Sequence, residues 1–154
     1  MSKITPCLWF DGTGEQAARF YVSLFANSRM ITPAEPTPDG APPPVMVVCE
    51  IAGQTLYLLN GGPHYQLSPA FSLSVDCADQ DEVDRYWEAL LADGGEESMC
   101  GWLTDRFGVS WQIVPQRLGE LMGDPDREKA QRVTEAMLKM RKLVIADLEA
   151  AAAS

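Results

Sequence analysis

Four side chains in this sequence are candidates for acid–base or nucleophilic chemistry: Tyr57, His64, Cys100 and Asp105. A phenol, imidazole, thiol or carboxylate beside a substrate can accept or donate a proton in the reaction. For two of these residues, a purely structural role is an alternative to a catalytic one. Asp105 begins an Asp-x-x-Gly turn that its carboxylate would cap, and His64 follows a Gly-Gly-Pro loop that would lie in solvent. Because the chain has a single histidine, a histidine-rich metal site is excluded.

The stretch Cys100–Pro115 has the pattern of a β-hairpin that could close one edge of a small-molecule cup. Trp102 to Thr104 reads as one strand, residues 105–108 as the turn, and Ser110 to Val114 as the returning strand. Aromatic side chains supply contact area for a ligand, and an amide such as Gln112 can orient its polar groups. The competing interpretation is that these side chains only fill the core.

Composition narrows the function classes. The chain has 154 residues, 46% of them hydrophobic, which suits one domain or two small halves that share a core. A net charge of −10 argues against a general nucleic-acid binder, which needs a basic surface. No apolar run reaches the roughly 18 residues of a membrane helix, and no signal peptide is evident. Four widely spaced cysteines predict free thiols in a reducing compartment, hence a cytoplasmic protein with no membrane partner.

The elements that must position these residues repeat along the chain. Each half reads as a strand, a helix and three further strands, and the helical triplets Arg19-Phe20-Tyr21 and Arg85-Tyr86-Trp87 lie 66 residues apart. The first half predicts strands at Ile4–Phe10, Arg29–Thr32, Val45–Ala52 and Gln54–Asn60, with a helix at Glu15–Ala26. The second predicts strands at Phe71–Asp76, Glu96–Cys100 and the hairpin, with a helix from an Asp79 cap to about Ala92.

Two segments lie outside the repeat. Residues 33–44 hold six prolines and predict a loop, which is either a lid over a site or a solvent loop without a role. After Pro115, Asp124-Pro125 predicts a helix start with Asp124 as the cap and proline at the first helical position. One long helix is expected from residue 127 to about 150, because apolar residues from Ala130 to Leu148 recur at helical spacing.

These motifs resemble the vicinal oxygen chelate superfamily, which includes glyoxalase I, bleomycin-resistance proteins and extradiol dioxygenases. The narrower resemblance is to its PhnB-like group, many of whose members are named 3-demethylubiquinone-9 3-methyltransferase. The matching stretches span nearly the whole chain: Pro6–Phe10, Phe20–Phe25, Leu59–Pro63, Asp79–Trp87, Cys100–Leu103, Phe107–Pro115 and Ala136–Met140.

The resemblance implies an α+β fold in which two βαβββ modules form an eight-stranded, cup-like mixed sheet, followed by a C-terminal helical extension. We expect a single glyoxalase-like domain over 1–154, with module one at about 3–63, module two at about 70–115 and C-terminal helices at 117–150. Because modules of two chains often pair in this superfamily, a homodimer is predicted.

The metal-dependent members take ligands from the first and last strand of each module. Carried across, those positions are Pro6 or Leu8 and Tyr57 in module one, and Ser72 or Ser74 and Gln112 in module two. Imidazole and carboxylate are the usual ligands of such metals, so we expect no metal and no cofactor. A metal-bound reading would require Glu50 or Asp76 to reach the cup.

Three functions therefore remain open. The first is a module that binds a small organic molecule through a cup lined by Leu8, Phe10, Tyr57, Ser72, Cys100, Trp102 and Gln112. The second is an enzyme, either metal-free or of the glyoxalase or dioxygenase type. The third is the methyltransferase that the group name implies, although the chain contains no G-x-G-x-x-G loop for a cofactor.

Overall fold

A computed structural model describes residues 2–154 and divides them into two compact units, the first ending at Leu67 and the second spanning Ser68–Ser154. Unit 1 contains one helix and four strands. Its elements are β1 (Cys7–Phe10), α1 (Gly14–Leu24), β2 (Arg29–Thr32), β3 (Met46–Ile51) and β4 (Gln54–Asn60). The sheet order is β1-β4-β3-β2, in which β1 and β4 are parallel and the other neighbours are antiparallel.

Unit 2 begins with the same topology. Its elements are β5 (Leu73–Cys77), α2 (Gln80–Leu91), β6 (Glu96–Glu97), β7 (Trp102–Thr104) and β8 (Ser110–Pro115). The order β5-β8-β7-β6 repeats the pairing of unit 1, again with only the first pair parallel. The predicted α+β class with two βαβββ modules is therefore confirmed, the strands forming two four-stranded mixed sheets.

Local sequence explains where the helices begin and which sheet face they cover. Asp79 caps α2, because its side chain accepts a hydrogen bond from the Glu82 backbone N–H at 2.9 Å. Each sheet buries the side chains that alternate toward its helix, so one face of each strand is apolar. On the covered faces lie Leu8, Phe10, Val47, Leu56 and Leu58 in unit 1, and Leu103, Trp111 and Ile113 in unit 2. We call the face of each sheet that its helix leaves uncovered the open face.

The proline-rich loop at residues 33–44 is fastened to α1. The buried Glu15 carboxylate accepts hydrogen bonds from the Thr37 N–H and from Arg19 Nε, each at 3.0 Å, and Arg19 also reaches the Pro33 carbonyl. Burial raises the pKa of Glu15, but the hydrogen bonds from Thr37 and Arg19 outweigh it and hold that pKa below its ordinary value. These bonds lie on the helix side of the sheet.

The C-terminal extension, residues 116–154, consists of α3 (Gln116–Met122), α4 (Arg127–Leu138) and α5 (Ile145–Ala153). The expected single helix from 127 to about 150 is thus wrong, since residues 139–144 leave the helix and bond elsewhere. Asp126 rather than Asp124 caps α4, accepting from the N–H groups of residues 128 and 129. The extension has its own apolar cluster, formed by Leu118, Leu121, Val133, Leu143, Leu148 and Ala152.

No helix within residues 2–154 has both the length and the hydropathy that crossing a bilayer requires.

Candidate functional site

The structure separates the predicted ligand contacts of unit 1 onto two faces. Leu8 and Phe10 are only 1% and 3% exposed and lie on the face that α1 covers. Tyr57 is 38% exposed and lies on the open face, where its parallel-strand partner is Cys7. Leu8 and Phe10 are therefore core residues of unit 1, and the side chains of β1 that share a face with Tyr57 are Cys7 and Trp9.

The open face of unit 1 forms a depression of about 480 Å³. This volume falls within the roughly 300–1,000 Å³ of sites that hold small organic molecules. The wall combines an exposed aromatic ring, hydroxyl groups, aliphatic carbons and one ion pair. Its main contributors are Thr5, Arg29, Ile31, Val48, Glu50, Thr55 and Tyr57.

The ion pair gives this depression its charged groups. Arg29 on β2 and Glu50 on β3 face each other across the antiparallel pair, with Nη2 and Oε2 3.5 Å apart. The Arg29 side chain remains 67% exposed and that of Glu50 26%. Such an exposed, long contact contributes little to stability, so both groups remain able to bind polar atoms of a ligand.

In unit 2 the predicted contacts share one row of the open face. Gln112 on β8 pairs with Ser74 on β5 and with Trp102 on β7, so the three side chains point to the same side. Gln112 Nε2 donates to Ser72 Oγ at 3.0 Å. The structure thus brings together Ser72, Trp102 and Gln112, and a partly buried amide and hydroxyl are oriented by one hydrogen bond.

Strand register corrects one of the carried-over positions. The residue beside Tyr57 is Cys7, and the residue beside Gln112 is Ser74. Because Ser72 lies two residues before Ser74, its counterpart in unit 1 is Thr5, two residues before Cys7, and neither Pro6 nor Leu8. Equivalent residues of the two modules are 66 positions apart in the helical triplets, but 67 positions apart in the first strands, as Cys7 and Ser74 show. One residue of error is enough to exchange the two faces of a strand.

The other predicted chemical residues have identifiable surroundings. Asp105 is 3% exposed and caps its turn: Oδ1 accepts from the N–H groups of Phe107 and Val109, and Oδ2 accepts from Trp111 Nε1 at 2.9 Å. His64 lies exposed in the turn after the Gly-Gly-Pro sequence. Cys100 is half-buried in the turn before β7, with a left-handed φ of +60°.

Ser110 shares the open face of unit 2 with Gln112 and was not named from the sequence. It lies on β8 two residues before Gln112, so it alternates to the same face, and it pairs with Thr104 on β7. Its side chain is 3% exposed, and its Oγ has no hydrogen-bond partner among residues 2–154. A buried hydroxyl without a partner is energetically unfavourable. The sequence did contain a signal for this position, because residues two apart in a strand point to the same face and Ser110 precedes Gln112 by two.

The donors at the family's metal positions do not fit a divalent ion. After the register correction these are the hydroxyl groups of Thr5 and Ser72, or the thiol of Cys7 and the hydroxyl of Ser74, together with the phenol of Tyr57 and the amide of Gln112. Zinc, nickel and manganese sites use imidazole, carboxylate or, for zinc, several thiolates, and this set of positions offers at most one thiol. Glu50 does reach the open face of unit 1. Within residues 2–154, however, no group of three or more His, Cys, Asp or Glu side chains gathers as a metal site would require.

A glycine-rich turn links β1 to α1 and is the nearest approach to a nucleotide-binding loop. Gly12 and Thr13 precede α1, Gly14 is its first residue, and Ala17 stands where that motif takes glycine or alanine. The Gly14 N–H at the start of α1 already donates to Asn60 Oδ1 at 2.9 Å. The Glu15 carboxylate occupies the first turn of the helix, where it opposes a bound phosphate.

Comparison with known proteins identifies a family model and solved structures that are similar to this chain. Residues 2–114 match the family model described as 3-demethylubiquinone-9 3-methyltransferase. A PhnB protein from Bacillus cereus is 29% identical, with a TM-score of 0.65, and the match covers 74% of this chain and 99% of that one. A protein from Pseudomonas aeruginosa is 23% identical, with a TM-score of 0.58, over 75% of this chain and 98% of the other, and shares the fold. No curated protein matches the sequence. The chain therefore belongs to the 3-demethylubiquinone-9 3-methyltransferase family.

Proposed function

We propose that this protein binds a small organic molecule on the open face of a sheet, without a divalent metal. The observation that carries the proposal is the depression of about 480 Å³ in unit 1, with the Tyr57 ring 38% exposed beside an ion pair and several hydroxyl groups. An apolar or aromatic ring would lie on Tyr57, and polar substituents would bind Glu50, Arg29 or Thr5.

Unit 2 has its own, uncharged set of possible ligand contacts. Ser72 and Gln112 are held together at 3.0 Å, and Trp102 lies across the strand from Gln112. We propose that this set binds hydroxyl or carbonyl groups of a ligand and that Cys100, in the turn before β7, adds a thiol contact. Leu8 and Phe10 do not contact the ligand in this proposal, because they are buried in the core between the unit 1 sheet and α1.

A thermal-shift screen of the purified chain tests the proposal. The panel should contain short-chain hydroxylated benzoquinones and catechols, S-adenosylmethionine, and zinc, nickel and manganese salts. We expect an organic ring compound to raise the melting temperature of the wild-type protein. Tyr57→Ala should weaken its binding by about tenfold or more, as loss of a central aromatic contact typically does.

Tyr65→Ala is the matched control, because Tyr65 is 69% exposed and lies outside the lining of the depression. Its affinity should match that of the wild type. Equal binding by the Tyr57 variant, or stabilisation by no organic compound, would contradict the proposal. Saturable, near-stoichiometric uptake of one metal would instead favour glyoxalase- or dioxygenase-type chemistry.

Methyl transfer is the second candidate, favoured by the family model over residues 2–114 and by nothing local in the chain. A methyltransferase must bind a methyl donor as well as its acceptor. Stabilisation by S-adenosylmethionine in the same screen, with transfer of its labelled methyl group to a hydroxylated benzoquinone, would establish this activity and replace the simple binding function.

We also propose that the chain forms a homodimer, as its superfamily resemblance implies, and that it works in a reducing compartment such as the cytoplasm, where its four free cysteines would persist. Light scattering at micromolar concentration should give about twice the chain mass of 16.9 kDa. A mass equal to one chain would refute the dimer.

A further inference from the structure

We propose that the C-terminal extension positions the predicted ligand contact Trp102. In this proposal, residues 140–145 hold the turn that precedes β7 and so fix the side chain at the start of that strand. The extension lies beyond the family model, which ends at residue 114. The consequence for binding rests on the proposed function, whereas the positioning itself does not.

The first observation is the turn from Met99 to Trp102, whose end residues are joined by a 3.1 Å N–H···O bond. Its two central residues are both left-handed, with φ of +60° at Cys100 and +83° at Gly101. Successive N–H groups in such a turn converge and need acceptors. Here Cys100 N–H donates to the Met140 carbonyl and Gly101 N–H to the Arg141 carbonyl, both at 2.7 Å.

The second observation is close packing around Gly101. Leu143 is fully buried, and a Cβ on Gly101 would lie 2.9 Å from its Cδ1 and 3.0 Å from the Ile113 carbonyl oxygen. Gly101 in turn accepts a hydrogen bond from the Ile113 N–H at 2.8 Å. The turn is therefore enclosed between the extension on one side and β8 on the other, next to Gln112.

The third observation is a polar clamp from α2. Gln80 Nε2 donates to the Leu143 carbonyl at 3.1 Å, and Gln80 Oε1 accepts from the Ile145 N–H at 2.7 Å. Lys142 pairs with Asp84, one turn further along α2, at 2.8 Å. The Gln80 side chain thus binds both a carbonyl group and an N–H group of the backbone that connects α4 to α5.

These contacts form a continuous path from α2 through residues 140–145 to Gly101. Trp102 follows Gly101 directly and pairs with Gln112 across the strands. If the segment loosens, the turn loses the acceptors of two N–H groups and the packing of Leu143. The backbone that sets the direction of the Trp102 side chain then gains freedom.

Fluorine NMR of the full chain labelled with 5-fluorotryptophan tests this path. The chain has four tryptophans, and Trp102→Phe assigns the relevant resonance. Gln80→Met removes the clamp while keeping side-chain length. We expect it to shift or broaden the Trp102 resonance and to leave that of Trp9, in unit 1, unchanged.

Gln131→Met is the matched control, because Gln131 lies on α4 and its amide bonds only the exposed Glu135 at 3.3 Å. This variant should leave all four resonances in place. Hydrogen exchange of the Cys100 and Gly101 amides should become about tenfold faster in Gln80→Met, since their acceptors are no longer held.

Unchanged Trp102 resonance in Gln80→Met would overturn the proposal, even if the two amides exchanged faster. If that variant does not fold, Lys142→Met decides by the same criterion, because it removes only the partly exposed ion pair with Asp84. Neither readout uses a ligand. Failure of the thermal-shift screen would therefore reject the proposed function alone, and a rigid Trp102 would reject this inference alone.

Discussion

Replacing Gly101 by alanine is the sharpest test of the packing between the extension and the β7–β8 hairpin. Two costs add at this position. A φ of +83° is left-handed, which costs a residue with a Cβ roughly 1–2 kcal/mol. The new methyl group would also lie 2.9 Å from Leu143 Cδ1 and 3.0 Å from the Ile113 oxygen. Overpacking of this kind costs about 1–3 kcal/mol, so we expect Gly101→Ala to lose about 2–5 kcal/mol in total.

Gly108, in the turn of the same hairpin, supplies the control. Its φ of +89° carries the same backbone cost, and a Cβ there would meet nothing within 4 Å. Gly108→Ala should therefore lose only the roughly 1–2 kcal/mol of the left-handed conformation. The difference between the two variants, about 1–3 kcal/mol, isolates the crowding by Leu143 and Ile113.

Urea denaturation with linear extrapolation measures both free energies of unfolding under the same conditions. Combining Gly101→Ala with Leu143→Ala completes a double-mutant cycle, in which the smaller side chain should relieve part of the crowding. Equal losses in the two glycine variants, within about 0.5 kcal/mol, would refute the reasoning, because the methyl group would then have met no obstacle at position 101.

Three further predictions concern other groups. Because the pKa of Glu15 is held below its ordinary 4.5, this carboxylate stabilises the fold above that pH and loses its contribution as the pH falls through the lowered pKa. Glu15→Gln should flatten the fall in urea midpoint below about pH 4.5, and an unchanged slope would contradict this. Burial raises the pKa of Cys49 and of Cys77 to about 12, so a thiol reagent at neutral pH should modify only the other two cysteines in the native chain. Ser110→Ala should raise the free energy of unfolding by about 1 kcal/mol, and a loss would reveal an ordered partner for this hydroxyl.

The parts of the fold that follow from local patterns were predictable. The strand at Trp102–Thr104 has the predicted bounds, and Asp79 is the predicted cap of α2, accepting a hydrogen bond from the Glu82 N–H. Turn residues, caps and apolar periodicity act within a few positions, so the sequence contains them directly. The repeated order of elements then determines the topology of both sheets, since each module must cover one face of its strands.

The choice of face at the first strand was not predictable in the same way. Alternation separates Leu8 and Phe10 from Cys7 and Trp9, but both sets are apolar enough to be buried. Trp9 proves to be partly covered by the loop after β4, where its Nε1 donates to the Gly62 carbonyl at 2.9 Å. Only the position of α1 decides which set becomes core and which lies beside Tyr57.

The break between α4 and α5 shows the same limit at longer range. Residues 139–144 contain neither proline nor glycine, and their apolar spacing continues that of the helix before them. The helix ends at Leu138, and the Met140 and Arg141 carbonyls, which a continuous helix would use internally, instead accept hydrogen bonds from the Cys100 and Gly101 N–H groups. The left-handed turn and the broken helix each satisfy the other's backbone groups. Neither is therefore favoured by its own sequence alone, and a variant that disrupts one should loosen the other.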